Sequence, residues 1–215
     1  MTDGTHRVSS PTGEYTLILP GTWASIPMDD ADRLQRRVAA VVKQQVPKGD
    51  RLARMRQTAR QELMSSATRA SELGASVYAL SLEILPGIPF AASLIAYNEA
   101  WPPGATREGT VEERLLATLP GGEVVASDSS AVLRRSDYAR KLLGSTEIWA
   151  LDLEYWFVTP ADRLLCFLIS VPMCESAELF TAFFDAVADS VRWTSPQSPM
   201  HSSDVVAAAP GGSKL

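Results

Sequence analysis

The pattern of apolar and polar positions predicts a strand near the start of the chain. Residues 14–19 are mostly apolar and lie between two turn signals, Pro-Thr-Gly at 11–13 and Pro-Gly at 20–21. Turn residues on both sides of a short apolar run are typical of a β-strand. Residues 22–26 are predicted to form a second strand that pairs with the first.

Two segments with apolar residues at helical spacing follow, and together they predict a helical hairpin. The first begins after Asp30 and Asp32, which favour a helix N-terminus, and its helix ends at Pro47. The second continues to Gly74. The apolar stripes are Leu34, Val38, Val41, Val42 and Val46 in the first helix and Leu52, Met55, Ala59, Leu63, Ala67 and Ala70 in the second.

From residue 75 the apolar period changes to two, which is typical of strands. The predicted strands are 75–84, 90–97, 124–128, 132–142, 148–158 and 164–171. Thr110 and Glu113 match a capping box ahead of one short helix at 111–118. In strand 148–158 apolar residues alternate with Asp152 and Glu154, so we expect an antiparallel sheet with one covered and one partly wet face.

A last helix begins at Ser176 and carries a large apolar stripe that should pack across the sheet. That stripe is Leu179, Phe180, Phe183, Phe184, Val187 and Val191. We therefore predict an α+β fold, with a mostly antiparallel sheet, a long N-terminal helical hairpin and a C-terminal helix packed on the sheet. Residues 14–193 are predicted to form a single domain, 1–13 a flexible N-terminus, and 194–215, rich in Ser, Pro, Gly and Ala, a disordered tail.

Composition and charge narrow the classes of function. The chain has 46% hydrophobic and 21% charged residues, which is ordinary for a globular protein. Its formal net charge of -5 argues against nucleic-acid binding, because phosphate binding needs an excess of Lys and Arg. The sequence shows neither an export signal nor an apolar run near the roughly 20 residues that cross a bilayer. We expect a cytoplasmic protein that is not integral to a membrane.

Histidine and cysteine, the usual catalytic side chains, occur in positions that do not predict an active site. His6 and His201 fall in terminal segments, where a general base could not be held in place. Cys166 lies inside an apolar strand, and Cys174 precedes the predicted last helix. Without an export signal we expect two reduced thiols that serve mainly in packing.

The carboxylates of Asp152 and Glu154 lie on one side of a strand, two residues apart, and could in principle form an acid/base pair. A solvent-facing charged surface explains them better, since the other side of that strand is uniformly apolar. We predict a non-enzymatic protein with no metal site and no cofactor; an enzyme that uses Cys174 or this pair ranks third among our hypotheses.

Basic residues are concentrated in the predicted hairpin, where ten of the twenty Lys and Arg occupy about 37 positions. A surface of that sign could meet an acidic protein partner or anionic lipid headgroups, but a solvated outer face with helix-favouring Arg is the interpretation that this pattern favours. Two aromatic groups could add to a binding surface, namely Trp101 beside Pro102-Pro103 and, on the long strand, Trp149 with Tyr155 and Trp156. The candidate binding residues are Arg33, Arg36, Arg37, Arg51, Arg54, Arg56, Trp101 and Trp156.

Short motifs at both ends of the predicted domain resemble those of a known family. Residues 15–23 read YTLILPGTW, and residues 184–193 read FDAVADSVRW. A strand followed by Pro-Gly-x-Trp, and a last helix that runs into Asp-Ser-Val-Arg-Trp, are similar to the PsbP-like superfamily, which includes LpqN-type lipoproteins and effector-associated chaperones. The resemblance covers residues 14–193 and implies an α/β/α sandwich that serves as a non-enzymatic platform for protein contacts. The chain departs from exported members by lacking a lipobox and by its longer basic hairpin.

Together these patterns predict a non-enzymatic, cytoplasmic protein-binding module, such as an adaptor, a secretion chaperone or a complex subunit. It would present a sheet face and the basic helical hairpin to an acidic partner. The alternative is a small-molecule or lipid carrier with a pocket between the sheet and the helices. Self-association into a homo-oligomer is left open.

Overall fold

The computed structural model describes residues 5–27, 30–46, 52–85, 87–125, 131–143 and 145–194. Strands and helices are mixed within these ranges, so the chain is α+β as predicted. In chain order the elements are β1 Thr5–Ser9, β2 Tyr15–Pro20, β3 Thr22–Ser25, α1 Ala31–Gln45, α2 Ala53–Glu72, β4 Val77–Leu85, β5 Ile88–Glu99, α3 Val111–Thr118, β6 Glu123–Val125, β7 Val132–Leu143, β8 Thr146–Val158, β9 Leu164–Pro172, α4 Ala177–Asp189 and β10 Arg192–Trp193.

The strands form one large and one small sheet. The large sheet has seven strands in the order β3-β4-β5-β9-β8-β7-β6, and all its neighbouring strands are antiparallel. The small sheet has the order β1-β2-β10 and is antiparallel too. Hairpin connections join β4 to β5 and β7 to β8, which is the usual way for strands close in sequence to pair.

One face of the large sheet packs against α4 and β2. Leu151, Leu153, Tyr155 and Phe157 of β8 point to this face, because alternate residues of a strand share a side, and each is at most 1% exposed. The stripe predicted for the last helix supplies the other half of the core. The members of that stripe that lie in or against this core are Phe180, Phe183, Phe184, Val187 and Val191.

The opposite face of the large sheet is covered by the two helices of the hairpin and by α3. Val38 of α1 and Ala70 of α2 have no exposed surface, and Leu115 of α3 has none either. The expectation of one covered and one partly wet face is met around Asp152 and Glu154, which are half-buried, while the helices cover most of this face. The reason is that the hairpin's own apolar stripes need a surface to bury, and they use the side of the sheet that the alternation had left to solvent.

Helix N-termini follow the capping signals of the sequence. The carboxylate of Asp30 accepts hydrogen bonds from the backbone N–H groups of Asp32 and Arg33, at 2.8 and 2.9 Å. The capping box at α3 is confirmed, since Thr110 and Glu113 each accept a hydrogen bond from the other's backbone N–H. Among the four described helices, none is both long and apolar enough to cross a membrane.

The predicted pairing of the first two strands is wrong. β3 pairs with β4 in the large sheet, while β2 stays in the small sheet. Gly21 makes this change of sheet sharp: its φ is 82°, and a Cβ atom there would lie 2.1 Å from the carbonyl oxygen of Glu83. A side chain at this turn would collide with the backbone of β4, so the tight crossing requires glycine.

Part of the predicted flexible N-terminus is ordered into a strand. β1 pairs with β2 from Thr5 opposite Pro20 to Ser9 opposite Thr16, and it extends the small sheet on the side away from β10. Of the predicted strand 124–128, residues 126–128 lie outside the described residues, and so does the predicted tail from residue 195 onward.

Candidate binding surfaces

The outer side of the α1–α2 hairpin is the most basic surface predicted from the sequence. Arg33, Arg36, Arg37 and Arg54 are exposed, and Arg56 is half-buried. Arg51 lies outside the described residues. The Nε of Arg37 donates a 3.1 Å hydrogen bond to the carbonyl oxygen of Ser25, which ties the start of α1 to the end of β3.

Acidic residues are scarce in the same part of the chain. Of the twenty-five Asp and Glu residues, only Asp50 and Glu62 lie between residues 33 and 69, where ten of the twenty Lys and Arg are found. The rest of the chain therefore holds twenty-three acidic and ten basic residues. The hairpin is thus a positive element on a negative protein, and its field favours anionic groups.

Trp101 is held in place by a neighbouring arginine. The guanidinium of Arg114 on α3 lies over the indole ring, 4.3 Å from its centroid, and donates to Oδ1 of Asp162 at 2.8 Å. The ring is half-buried against the core under the hairpin. This cation–π contact fixes the loop before α3, so Trp101 is a structural anchor that leaves only part of its ring to a partner.

Trp156 is a core residue, which corrects its prediction as a binding residue. Its side chain is 6% exposed and packs edge-to-face on Tyr97, with ring centroids 6.1 Å apart. The indole N–H donates to Oε2 of Glu154 at 3.2 Å. Tyr155 and Trp156 do point to opposite faces of β8, but each enters a different core because both faces of the sheet are covered there.

The carboxylates of Asp152 and Glu154 are engaged by neighbouring side chains. Asp152 accepts from Lys141 and, at 2.7 Å, from the hydroxyl of Ser170. Glu154 accepts from Arg135 at 3.1 Å, in addition to Trp156. Such pairing explains the alternating charges of β8 as cross-strand contacts on the part of the sheet that the helices leave open.

Both cysteines are buried, Cys166 as its apolar strand predicted and Cys174 although its place at the exit of a strand had allowed a more exposed thiol. Cys166 has no exposed surface and Cys174 has 1%. Burial raises the pKa of each thiol above its ordinary value, because the thiolate loses its hydration. A backbone hydrogen bond from Ser176 opposes this rise at Cys174 without cancelling it. Neither thiol therefore has the low pKa of a reactive cysteine.

The backbone of His6 is in β1 opposite Leu19, so this position is more ordered than we expected, while His201 lies outside the described residues. Within the described ranges no three His, Cys, Asp or Glu side chains are grouped as a metal site requires.

An exposed aromatic patch on the β7–β8 hairpin joins Trp149, one of the aromatic candidates from the sequence, to Tyr138, which was not predicted as a site residue. Tyr138 and Trp149 stack with ring centroids 4.8 Å apart and are 40% and 44% exposed. The Arg140 guanidinium lies 5.2 Å from the centroid of Trp149. The Tyr138 hydroxyl donates to the carbonyl oxygen of Cys174 at 3.0 Å, which fixes the ring. The sequence offered Trp149 as a candidate, but its contact with Tyr138 depends on the β7–β8 register.

Comparisons with known proteins give a likeness of fold. The chain is similar to the solution structure of cyanobacterial PsbP (CyanoP) from Synechocystis sp. PCC 6803, with a TM-score of 0.44 and 16% sequence identity, over 90% of this chain and 95% of that chain. No protein-family model matches the chain, and no curated protein matches it.

Proposed function

We propose that this chain is a non-enzymatic protein-binding module whose α1–α2 hairpin receives an acidic segment of a partner protein. The observation that carries the proposal is the segregation of charge, with half of the basic residues and two of the acidic residues between positions 33 and 69. The compatible roles are those of an adaptor, a secretion chaperone or a complex subunit.

The way the hairpin packs explains why its arginines face outward. Each helix uses its apolar stripe against the sheet, where Val38 and Ala70 are fully buried. The remaining sides of both helices therefore face solvent, and Arg36, Arg54 and Arg60 lie there. A rigid, two-helix surface with guanidinium groups on it suits carboxylates, which arginine binds with two parallel hydrogen bonds.

An acidic protein segment fits this surface better than a nucleic acid or a membrane. The rest of the chain is strongly acidic, so an extended polyanion that reached past the hairpin would meet like charge. A short acidic segment avoids that repulsion because it ends where the basic surface ends. The proposed surface also includes the open part of the sheet face around Asp152 and Glu154. The charges there favour polar side chains of the partner.

The carrier alternative gains no support from the cavities. Two open depressions in the described part of the chain lie on the outside of the β7–β8 hairpin, one lined by Arg140 and Glu147 and the other by Tyr138 and Met173. Neither lies between the sheet and the helices, where a carrier would need its pocket.

The test uses a defined acidic probe. A fluorescein-labelled 20-residue glutamate-rich peptide is titrated with the full chain, and binding is followed by anisotropy at 20, 150 and 500 mM NaCl. We expect binding that weakens with salt, at least tenfold weaker binding for the variant Arg36→Gln/Arg54→Gln/Arg60→Gln, and little change for Arg7→Gln/Arg107→Gln/Arg163→Gln, which loses the same charge elsewhere. Equal binding by both variants, or no binding at 20 mM salt, would contradict the proposal.

The same pair of variants identifies the natural partner. The wild-type chain and both variants are used to capture proteins from native cells at low salt. A partner rich in Asp and Glu that is lost with the hairpin variant and kept with the control supports the proposal, whereas a partner captured equally by all three does not.

A further inference from the structure

The outer edge of β7 is largely open in the described part of the chain. β7 pairs with β8 along its whole length, from Val132 to Leu143, but β6 covers only Val132–Arg134 on its other side. Nine residues, 135–143, therefore have no described strand beside them. An open strand edge presents a row of backbone N–H and C=O groups, which is a template for a further strand.

Two copies of the chain can join at this edge only in certain registers. A two-fold axis perpendicular to the sheet makes the two β7 strands antiparallel and keeps each sheet face on its own side. Directly opposed residues must then point to the same face. The axis therefore has to lie midway between one residue and its own copy in the partner strand, and not at the midpoint between two successive residues. The possible centres with five or more paired residues are Asp137, Tyr138, Ala139, Arg140 and Lys141.

The charges along the edge select one of these centres. Axes at Asp137, Arg140 or Lys141 would each place that residue opposite its own copy, and an axis at Tyr138 would oppose Arg135 to Lys141. Directly opposed like charges destabilise an antiparallel pair. An axis at Ala139 instead opposes Asp137 to Lys141 and Tyr138 to Arg140, both attractive pairs, and leaves two small alanines at the centre.

The length of the free edge selects the same centre independently. The edge runs from Arg135, just past the last residue that β6 pairs, to Leu143, the last residue of the strand. Its middle residue is Ala139, so this register pairs all nine residues and brings the end of the partner's β7 up to the end of β6. Agreement between the charges and the length is what an edge built for self-pairing would show.

We propose that two copies of this chain form a two-fold dimer by antiparallel pairing of their β7 strands, centred on Ala139, which joins the two seven-stranded sheets into one. Four charged residues on the edge, Arg135, Asp137, Arg140 and Lys141, would otherwise be expected to keep strands apart. In the register centred on Ala139 their charges instead favour pairing with a second copy of the chain. The interface is separate from the arginines of the α1–α2 hairpin and does not depend on the function proposed for them.

A single-cysteine cross-link tests the register directly. In the dimer the two Ala139 side chains are directly opposed, with Cβ atoms about 5 Å apart, so Ala139→Cys should form an intermolecular disulfide rapidly under mild oxidation. Arg135→Cys is the matched control, because its two copies are separated by eight residues along the strands, roughly 26 Å. The native Cys166 and Cys174 are buried and do not compete. If the Arg135→Cys variant cross-linked as fast as the Ala139→Cys variant, the register would be overturned.

A charge swap tests the pairing without any cross-link. Sedimentation equilibrium of the wild-type chain should show a dimer in the micromolar to tens-of-micromolar range. Asp137→Lys gains an opposite charge across from Asp152 in its own chain and loses its ion pair with Lys141 of that chain, while in the dimer it meets Lys141 of the other copy twice, so we expect about tenfold weaker dimerisation. Asp137→Lys/Lys141→Asp should restore it. A wild-type monomer at 100 µM, or failure of the double variant to recover while its thermal unfolding remains cooperative, would overturn the proposal; peptide binding by the hairpin should be the same in all variants.

Discussion

Tyr155 on β8 donates a 2.8 Å hydrogen bond from its hydroxyl to Oδ1 of Asp185, in the middle of α4. The other carboxylate oxygen, Oδ2, accepts a hydrogen bond from Nη1 of Arg134 on β7. The second terminal nitrogen of that guanidinium, Nη2, forms an ion pair with Oε1 of Glu123. Asp185 thus joins α4 to two strands of the large sheet at one point. Burial raises the pKa of Tyr155, and the Asp185 carboxylate raises it further, so the hydroxyl stays protonated as a donor.

Removal of this carboxylate is expected to destabilise the chain. Asp185→Ala leaves the Arg134 charge, whose side chain is 16% exposed, without its shorter ion pair, and should lower the free energy of unfolding by about 2 kcal/mol. Glu123→Gln is the matched control, because Glu123 is 64% exposed, and should cost less than about 1 kcal/mol. Urea unfolding followed by far-UV circular dichroism measures both; equal losses would mean that Asp185 is not the principal link.

The two tryptophans of β8 are expected to differ in what they support. Trp156→Ala removes a buried ring and should cost about 3 to 5 kcal/mol of stability. Trp149→Ala removes a 44% exposed ring and should cost about 1 kcal/mol or less. Thermal unfolding of the two variants gives the comparison, and a Trp149 variant as unstable as the Trp156 variant would show that the aromatic patch is a structural element rather than a surface.

The turn at Gly21 is expected to tolerate no side chain. Gly21→Ala places a Cβ atom against the carbonyl oxygens of Glu83 and Ile84 at a φ of 82°, so both strain and collision oppose it. We expect a loss above about 2 kcal/mol. Gly13→Ala also has a positive φ, 71°, but meets nothing within 4 Å, and should cost about 1 kcal/mol. Similar losses in the two variants, measured by urea unfolding, would show that strain alone acts at Gly21.

Alkaline pH is expected to weaken the fold through the buried thiols. Their pKa values are raised in the folded chain, so the folded state keeps protons that the unfolded state releases above its ordinary thiol pKa of about 8.5. This contribution is fully present below that pH and is lost as the pH rises further. Urea midpoints should fall between pH 8 and 9.5, and the fall should be smaller in Cys166→Ala/Cys174→Ala. An unchanged slope in that variant would assign the effect to other groups.

Much of the fold follows from short-range patterns. Five of the six residues predicted for the last helix's stripe, from Phe180 to Val191, lie in or against the core, and the capping box at Thr110 and Glu113 forms as predicted, while Leu179 of the same stripe is 64% exposed. The helical hairpin likewise follows from two stripes separated by Pro-Lys-Gly. Each of these signals lies within one helix and its flanking turns, so no knowledge of the rest of the chain is needed.

The features that sequence reasoning missed depend on contacts between distant segments. β3 pairs with β4, more than fifty residues away, and the burial of Trp156 depends on helices that come from the other end of the domain. Alternation along β8 shows that two faces differ, but it does not tell whether the polar face is covered by another layer. The stacking of Tyr138 on Trp149 was not predicted for the same reason, because the two residues become neighbours only through the β7–β8 register.

The small sheet pairs a strand from the start of the described chain, β2, with the last described strand, β10. β10 pairs with β2 through Arg192 opposite Thr16 and Trp193 opposite Tyr15, and the N–H of Thr194 donates to the carbonyl oxygen of Glu14 at 2.9 Å. During synthesis on the ribosome, this seam cannot form until residue 193 has left the exit tunnel. The earliest strands therefore wait with Tyr15 and Leu17 uncovered while the rest of the polypeptide is made, and that interval is when the nascent chain is most open to chaperones and proteases.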